Sequence, residues 1–171
     1  VNATPLQIAN LAATIANRGY FVTPHIVSHI EGSRIDSLYR TRRYTMVEHR
    51  YYDYVVAGMR KAVLDGTCTS ANLPGIEVCG KTGTAQMSKG SIGYTAGVTS
   101  YLLSFAGYFP ADAPRYSCIV CIQKSGLPAS GGGMSGVVFH NIAEGIMAQS
   151  LKLDVAEARN SSSKLNPTRK N

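Results

Sequence analysis

Residues 75–86, GIEVCGKTGTAQ, fit two local structures that exclude each other. The glycines, Lys81 and Thr82 match the pattern G-x-x-x-x-G-K-[ST], in which a loop wraps phosphates and a helix begins at the lysine. Two of the four intervening residues are β-branched, and the carboxylate of Glu77 would repel a phosphate. Gly83 follows Lys81 too closely for a stable helix to begin there. The segment therefore predicts a β-strand, and the match to a phosphate loop is accidental.

A strand over about 77–86 sorts these side chains onto two faces. Lys81 and Gly83 would share one face, and Thr82 and Thr84 the other. Gly83 has no side chain, so a ligand could lie against the strand there. An ammonium group beside two hydroxyls suits a carboxylate ligand. The pattern predicts an anion-binding strand.

Apolar residues at helical spacing predict three helices. The first begins at an N-cap, Thr4, where Gln7 completes a capping box, and it ends at Gly19. The second runs from about His49 to Leu64, and the third from about Ser135 to Leu151. The residues expected on their buried faces are Ile8, Leu11, Ala12 and Ile15 in the first, Tyr52, Val55, Val56, Met59 and Val63 in the second, and Val138, Ile142 and Ile146 in the third.

Two further strands are predicted, at about 101–109 and 116–123. The turn that separates them, PADAP, is short, so they should pair antiparallel. A consecutive antiparallel sheet flanked by helices indicates an α+β fold, not a doubly wound nucleotide-binding one. The chain turns polar after Asp154, which predicts a structured domain over 1–153 and a disordered tail over 154–171.

Charge and cysteine content exclude several classes of function. The net charge of +7 is scattered apart from a short cluster at 40–43 and the last residues, so we expect no nucleic-acid partner. Cys118 and Cys121 form C-x-x-C within a strand, where residues three apart point to opposite faces. Cys68 and Cys79 do not provide a second ligand pair. We expect four buried, inert thiols, and neither a metal nor an organic cofactor.

Five segments in order resemble a known family: ATPLQIANLAATIANRGYFVTPHI, GMRKAVLDGT, CGKTGTAQ, SFAGYFPADAPRYSCIV and GGGMSGVVFHNIAEGI. Together they resemble the C-terminal part of the transpeptidase domain of class B penicillin-binding proteins, over about residues 1–150. K-T-G is one signature of that superfamily, beside S-x-x-K and S-D-N. The resemblance implies part of a penicillin-binding, serine β-lactamase-like fold. It does not separate elongation-type from division-type members.

The resemblance also implies roles for residues 81–84. Lys81 would face the catalytic serine and support its chemistry. Thr82 and Thr84 would bind the carboxylate of a β-lactam or the equivalent peptide group, and the Thr84 N–H would supply half of the oxyanion hole. Gly83 would keep the strand close to the acyl group.

The wider biology of the family follows from the same resemblance. The substrate would be the D-Ala-D-Ala stem peptide of peptidoglycan, within a cell-wall synthesis complex that serves cell division or cell shape. The protein would act at the periplasmic face of the bacterial inner membrane, through an anchor outside this chain.

Two signature motifs have no convincing counterpart. Ser161–Lys164 matches S-x-x-K but follows the K-T-G, and Ser70–Asn72 matches S-x-N but lies too near it. We therefore expect the nucleophile in a missing N-terminal half of the domain, and we expect this chain alone to be inactive. One alternative is a non-catalytic binding or scaffold module of the same fold, with an exposed strand edge. A less favoured one is a phosphate-loop nucleotide-binding protein.

Overall fold

The computed structural model describes residues 3–87 and 99–164. Contacts divide the chain into two units, 1–140 and 141–171, and the candidate site lies in the first. The elements in chain order are α1 (Pro5–Ala16), β1 (Tyr20–Phe21), β2 (Arg43–Tyr44), α2 (His49–Leu64), β3 (Cys79–Met87), β4 (Ser100–Phe109), β5 (Tyr116–Ser125), a π-helical turn (Gly131–Gly136) and α3 (Val137–Lys164).

Helix α1 has the predicted start and a more specific end. The Thr4 Oγ1 accepts from the Gln7 N–H at 3.3 Å, and the Thr4 N–H donates to Gln7 Oε1 at 2.8 Å, which confirms the capping box. At the other end Arg18 takes the left-handed conformation, with φ of 56°, and Gly19 after it also has a positive φ, of 114°. The Gly19 N–H then donates back to the Thr14 carbonyl at 2.9 Å. This closure is a Schellman-type ending.

Strands β3, β4 and β5 form one antiparallel sheet in that order. The register pairs Lys81 with Ala106 and Thr84 with Leu103. All three predicted strands are confirmed, and so is the α+β fold class. Because Lys81 lies within a strand and begins no helix, the phosphate-loop interpretation is wrong.

Different elements cover the two faces of the sheet. On one face α1 packs against β4 and β5, while α2 packs against β3. Met59, Cys79 and Tyr108 are buried together there. On the other face Phe139 packs edge-on against Phe105 and Phe109, with ring centroids 4.6 and 5.6 Å apart. These interlocking aromatic rings fix the sheet relative to the start of α3.

Some residues predicted to be buried on α1 and α2 are exposed. The exposed fraction is 56% for Leu11 and 45% for Val55. Ile8, Ile15 and Val56 are half-buried. The predicted helix periodicity is correct, but Ile8, Leu11, Ile15 and Val55 line an open groove rather than a closed core. Val56 packs instead against the buried cluster of Met59, Cys79 and Tyr108. Ala12, Tyr52, Met59 and Val63 are buried as predicted.

The third helix differs in both phase and length from its prediction. Val138 and Ile142 are exposed at 39% and 38%, whereas Phe139 and Ala143 are buried. Phe139 packs against Phe105 and Phe109 of the sheet, so the start of the helix turns this side, one residue later than predicted, toward the core. The helix also continues past Leu151 to Lys164.

The segment after Asp154 contains alanine, glutamate and arginine, which are good helix formers, and this favours the longer helix. The division into a domain over 1–153 and a disordered tail over 154–171 stays a prediction. Residues 165–171 lie outside the part of the chain that the structure describes.

The four cysteines are all free thiols, but they are not all buried. Cys68 and Cys79 are buried, as predicted, whereas Cys118 is half-buried and Cys121 is exposed. The prediction was wrong for Cys121 because β5 is an outer strand of the described sheet. Among the side chains of residues 3–87 and 99–153, no three histidine, cysteine or acidic groups cluster closely enough to hold a metal ion. No helix of that same part is both long enough and apolar enough to cross a membrane.

Candidate functional site

Strand β3 runs from the core to an exposed rim. Its first residues, Cys79 and Gly80, are buried, and from Lys81 onward the strand is open to solvent or half-buried. Gly80 is required here because a Cβ would overlap the ring of Phe105. Arg60 of α2 donates to the Val78 carbonyl at 3.1 Å and so fixes the chain just before the strand. The K-T-G-T segment, residues 81–84, is therefore an exposed strand on a rigid base.

Lys81 and Thr82 form a hydrogen-bonded chain with a third residue, Thr67. The Lys81 Nζ donates to both the carbonyl oxygen and the Oγ1 of Thr82, each at 3.1 Å. The Thr82 Oγ1 lies 3.0 Å from the Thr67 Oγ1. The ammonium group thus lies beside a hydroxyl that is held from two sides. This arrangement places positive charge and hydroxyl groups on one short stretch of rim.

Thr84 is held by the glycine-rich π-helical turn. The Gly131 N–H donates to the Thr84 Oγ1 at 3.3 Å. Gly131 lies so close to the sheet that a Cβ would be 2.6 Å from the Gly83 carbonyl oxygen and 3.0 Å from that of Ser104. Only a residue without a side chain brings its amide this near to β3. The turn therefore directs the hydroxyl of Thr84.

The same turn is anchored to the chain that follows α2. The Ser70 hydroxyl donates to the Gly132 carbonyl at 2.6 Å. Gly136 packs against Ser70 and against the thiol of Cys68, where a Cβ would be 2.6 and 2.9 Å away. Ser70 therefore has a structural hydrogen bond, in keeping with the rejection of Ser70–Asn72 as the S-x-N motif.

An apolar groove of about 570 Å³ lies beside the K-T-G-T segment. Its walls are α1, α2 and the adjoining face of β3 and β4. Among the described residues that line it, Lys81 is the one titratable side chain. The lining residues are Ile8, Leu11, Ala12, Ile15, Val55, Gly58, Met59, Lys81, Thr82, Gly83, Ser104 and Ala106. An ammonium group at the edge of an apolar groove can bind and orient an anionic group.

All four residues singled out in the sequence lie on this one rim, and two that contact them were missed. The glycine run before α3 signalled a close backbone approach but not its target, which is Gly131 against Thr84. Thr67 carried no local signal. It is separated from Thr82 along the chain, and only the packing of α2 on β3 brings the two together.

The comparisons with known proteins agree with the fold and the motif. The family model described as "Penicillin binding protein transpeptidase domain" matches residues 1–144. The chain is 31% identical to the penicillin-binding protein PbpB of Mycolicibacterium smegmatis, over 86% of this chain and 24% of that protein.

Solved structures give the same result. The chain matches penicillin-binding protein 3 of Mycobacterium tuberculosis in its apo form with a TM-score of 0.65 and 30% identity, covering 86% of this chain and 35% of that one. For the aztreonam complex of that protein the TM-score is 0.64 and the identity 31%, with 86% and 35% covered.

This chain spans about a quarter of the length of the curated relatives that it matches. Within that span the strand, the glycine-rich turn and the helices follow one another as the resemblance implies, and the family model covers most of the chain. The chain therefore belongs to the penicillin-binding protein transpeptidase domain family.

Proposed function

We propose that this chain supplies the anion-binding strand of a peptidoglycan D,D-transpeptidase that β-lactams acylate. The observation that carries the proposal is the K-T-G-T segment itself. It is an exposed strand with an ammonium group and two hydroxyls that are held in place. The family match supports the proposal, and so do the matched structures, which include complexes of penicillin-binding protein 3 with aztreonam and ampicillin.

Each residue of the segment has a proposed role. Thr82 and Thr84 bind the carboxylate of the substrate through their hydroxyls, and the backbone N–H of Thr84 contributes to the oxyanion hole. Lys81 supplies positive charge near the nucleophile and near the same carboxylate. Gly83 leaves space for the acyl group to lie against the strand.

In the proposed reaction a serine hydroxyl attacks the carbonyl between the two D-alanines of a stem peptide. The peptide bond breaks, the terminal D-alanine leaves with the serine proton, and an acyl-serine ester remains. An amine on a neighbouring stem then attacks the ester, releases the serine and forms the cross-link. A β-lactam enters the first step, but its leaving group stays attached through the opened ring, so the acyl-enzyme persists.

The serine and its activating lysine would come from a segment outside this chain. The apolar groove supports this proposal, because side chains at helical spacing on both α1 and α2 are left open beside Lys81. Such a surface is suited to be covered by another apolar element. We propose that the missing N-terminal half of the domain packs there and places its serine near Lys81. In the family's setting the assembled enzyme would act at the periplasmic face of the inner membrane, within a cell-wall synthesis complex.

Labelling with a fluorescent penicillin tests the proposal. The full-length protein should be labelled covalently, and Lys81→Ala should slow labelling by at least about 100-fold, because a charged group near the reacting atoms is lost. Lys61→Ala, at the exposed end of α2, is the matched control and should label like the unchanged protein. Equal rates for the Lys81 variant and the unchanged protein would overturn the proposed role.

A second candidate is a non-catalytic binding module of the same fold. The open groove and the outer edge of β3 favour it, since both offer surface to a partner. The labelling experiment separates the two candidates. A full-length protein that folds but takes no penicillin supports the module.

A further inference from the structure

Thr67 lies in a short connection that is fixed on both sides. It follows the end of α2 and precedes Cys68, which is buried and donates its N–H to the Ala62 carbonyl at 2.9 Å. The Thr67 carbonyl oxygen lies against Gly132, where any Cβ would overlap it. The backbone of Thr67 is thus held between α2 and the glycine-rich turn. Its side chain is exposed on the rim, with its Oγ1 3.0 Å from that of Thr82.

The hydrogen-bond capacities of the two hydroxyls limit what Thr67 can do. A threonine oxygen accepts two hydrogen bonds and donates one. Lys81 can only donate, so it occupies one acceptor site of the Thr82 Oγ1. If Thr67 donates to the second site, the Thr82 hydrogen is left for a ligand. If Thr82 donates to Thr67, that hydrogen is used within the protein.

An anionic ligand selects between these two arrangements. A carboxylate can only accept, so it binds the form in which the Thr82 hydrogen points outward. In that form Thr67 donates to the second acceptor site of the Thr82 oxygen. The two donors, Lys81 and Thr67, then polarise the Thr82 hydroxyl. Thr84 shows the same design, because its oxygen accepts from the Gly131 N–H, which cannot reverse its direction. In each threonine a donor from the protein satisfies the oxygen and leaves the hydrogen for the ligand.

We infer that Thr67 is a positioning residue for carboxylate recognition, acting through the hydroxyl of Thr82. The inference rests on the proposed function, since it names a further residue of the same site. Thr67 would not contact the reacting atoms. Its effect would be confined to ligands that carry the carboxylate.

The test compares two probes in the full-length protein. Benzylpenicillin carries the carboxylate, and its methyl ester lacks it. Thr67→Val keeps the shape of the side chain but removes the donor. It should slow acylation by benzylpenicillin about 10-fold, the upper end of the effect of one hydrogen bond between neutral groups, and should change acylation by the ester less than about 2-fold.

Two further variants separate a hydrogen-bonding role from a structural one. Thr67→Ser keeps the donor and should restore acylation by benzylpenicillin to within about 3-fold of the unchanged protein. Thr69→Val, an exposed position in the next turn, should react with both probes like the unchanged protein. Thermal unfolding of each variant shows whether the fold is retained.

Three outcomes overturn the inference. They are an unchanged rate for Thr67→Val with benzylpenicillin, an equal loss with both probes, and a failure of Thr67→Ser to restore the rate. If neither probe acylates the unchanged full-length protein, the proposed function itself is wrong. The two failures are therefore distinguishable.

Discussion

At the scale of single residues, the site depends on glycines as much as on the residues that would contact a ligand. Lys81, Thr82 and Thr84 could be singled out from the sequence because charge, hydroxyls and strand alternation are local properties. Gly131 could not be assigned its role, because its function is to let one backbone approach another. A sequence shows that a glycine is present but not which backbone lies against it.

Replacement of Gly131 by alanine tests this close approach. The added Cβ would meet two carbonyl oxygens of the sheet, at 2.6 and 3.0 Å, and backbone atoms cannot move aside cheaply. We expect Gly131→Ala to lower the free energy of unfolding by about 1–3 kcal/mol. Gly58→Ala is the control. A Cβ added at Gly58, within α2, would meet no atom within 4 Å. We expect this variant to raise the free energy of unfolding by about 0.5–1 kcal/mol. Urea unfolding measures both, and equal stability for the two variants would contradict the account.

The buried thiol of Cys79 predicts a loss of stability at alkaline pH. Burial raises its pKa above the ordinary thiol value. Below about pH 8.5 the thiol is protonated in both states, and the stability is fully present. As the pH rises further, the unfolded chain ionises first, so the free energy of unfolding falls until the folded pKa is reached.

Urea unfolding between pH 7.5 and 10 measures this effect. Burial also raises the pKa values of Cys68, Cys118 and Tyr108, so the whole protein should lose stability over this range. Cys79→Ala removes the contribution of one thiol, so the free energy of unfolding should fall less steeply with pH. The slope should change by no more than about 1.4 kcal/mol per pH unit. Identical slopes for the variant and the unchanged chain would show that Cys79 does not titrate as its burial requires.

At the scale of elements, the existence and order of helices and strands followed from the sequence, while their packing did not. Periodicity predicted α2 correctly at both ends, and the capping box predicted the start of α1. The sequence pattern predicts that the apolar faces of these helices are buried, whereas Leu11 and Val55 are open to a groove. Periodicity shows which face of a helix is apolar, but it does not show whether another element covers that face.

Removal of the N-cap side chain of α1 tests how much the capping box stabilises this helix, which borders the groove. Thr4→Ala loses the acceptor for the Gln7 N–H and should lower the free energy of unfolding by about 1 kcal/mol. Thr4→Ser keeps the acceptor and should restore most of that loss. Thermal unfolding followed by circular dichroism gives the measurement. A Thr4→Ala variant as stable as the unchanged chain would mean that the capping box does not stabilise α1.

At the scale of the whole molecule, the proposed active site combines residues of this chain with residues outside it. The described residues hold the exposed K-T-G-T strand, which we propose binds an anion, and an apolar groove, and we propose that the nucleophile lies outside this chain. The resemblance predicted this division because two signature motifs were missing from the sequence. The sequence could not show where the segment that would carry the nucleophile packs. The groove beside Lys81 supports the proposal that it packs there.

Substitution of Val55 by aspartate tests that answer. Val55 lines the groove and is 45% exposed, so a charge there should cost the isolated chain no more than about 1 kcal/mol. In the full-length protein the same charge would be buried, and penicillin labelling should be lost. Tyr54→Asp, on the neighbouring position of α2 outside the groove, should label normally. Normal labelling of Val55→Asp would show that nothing apolar covers the groove.

The most direct measurement of the central claim is the position of the penicilloyl group in a peptide map of the labelled full-length protein. The claim is that residues 81–84 bind the anionic part of the substrate while a serine outside this chain forms the covalent bond. Mass spectrometry should therefore find the adduct on a serine of an upstream S-x-x-K motif and none on Val1–Asn171. An adduct on any residue within this chain would contradict the claim.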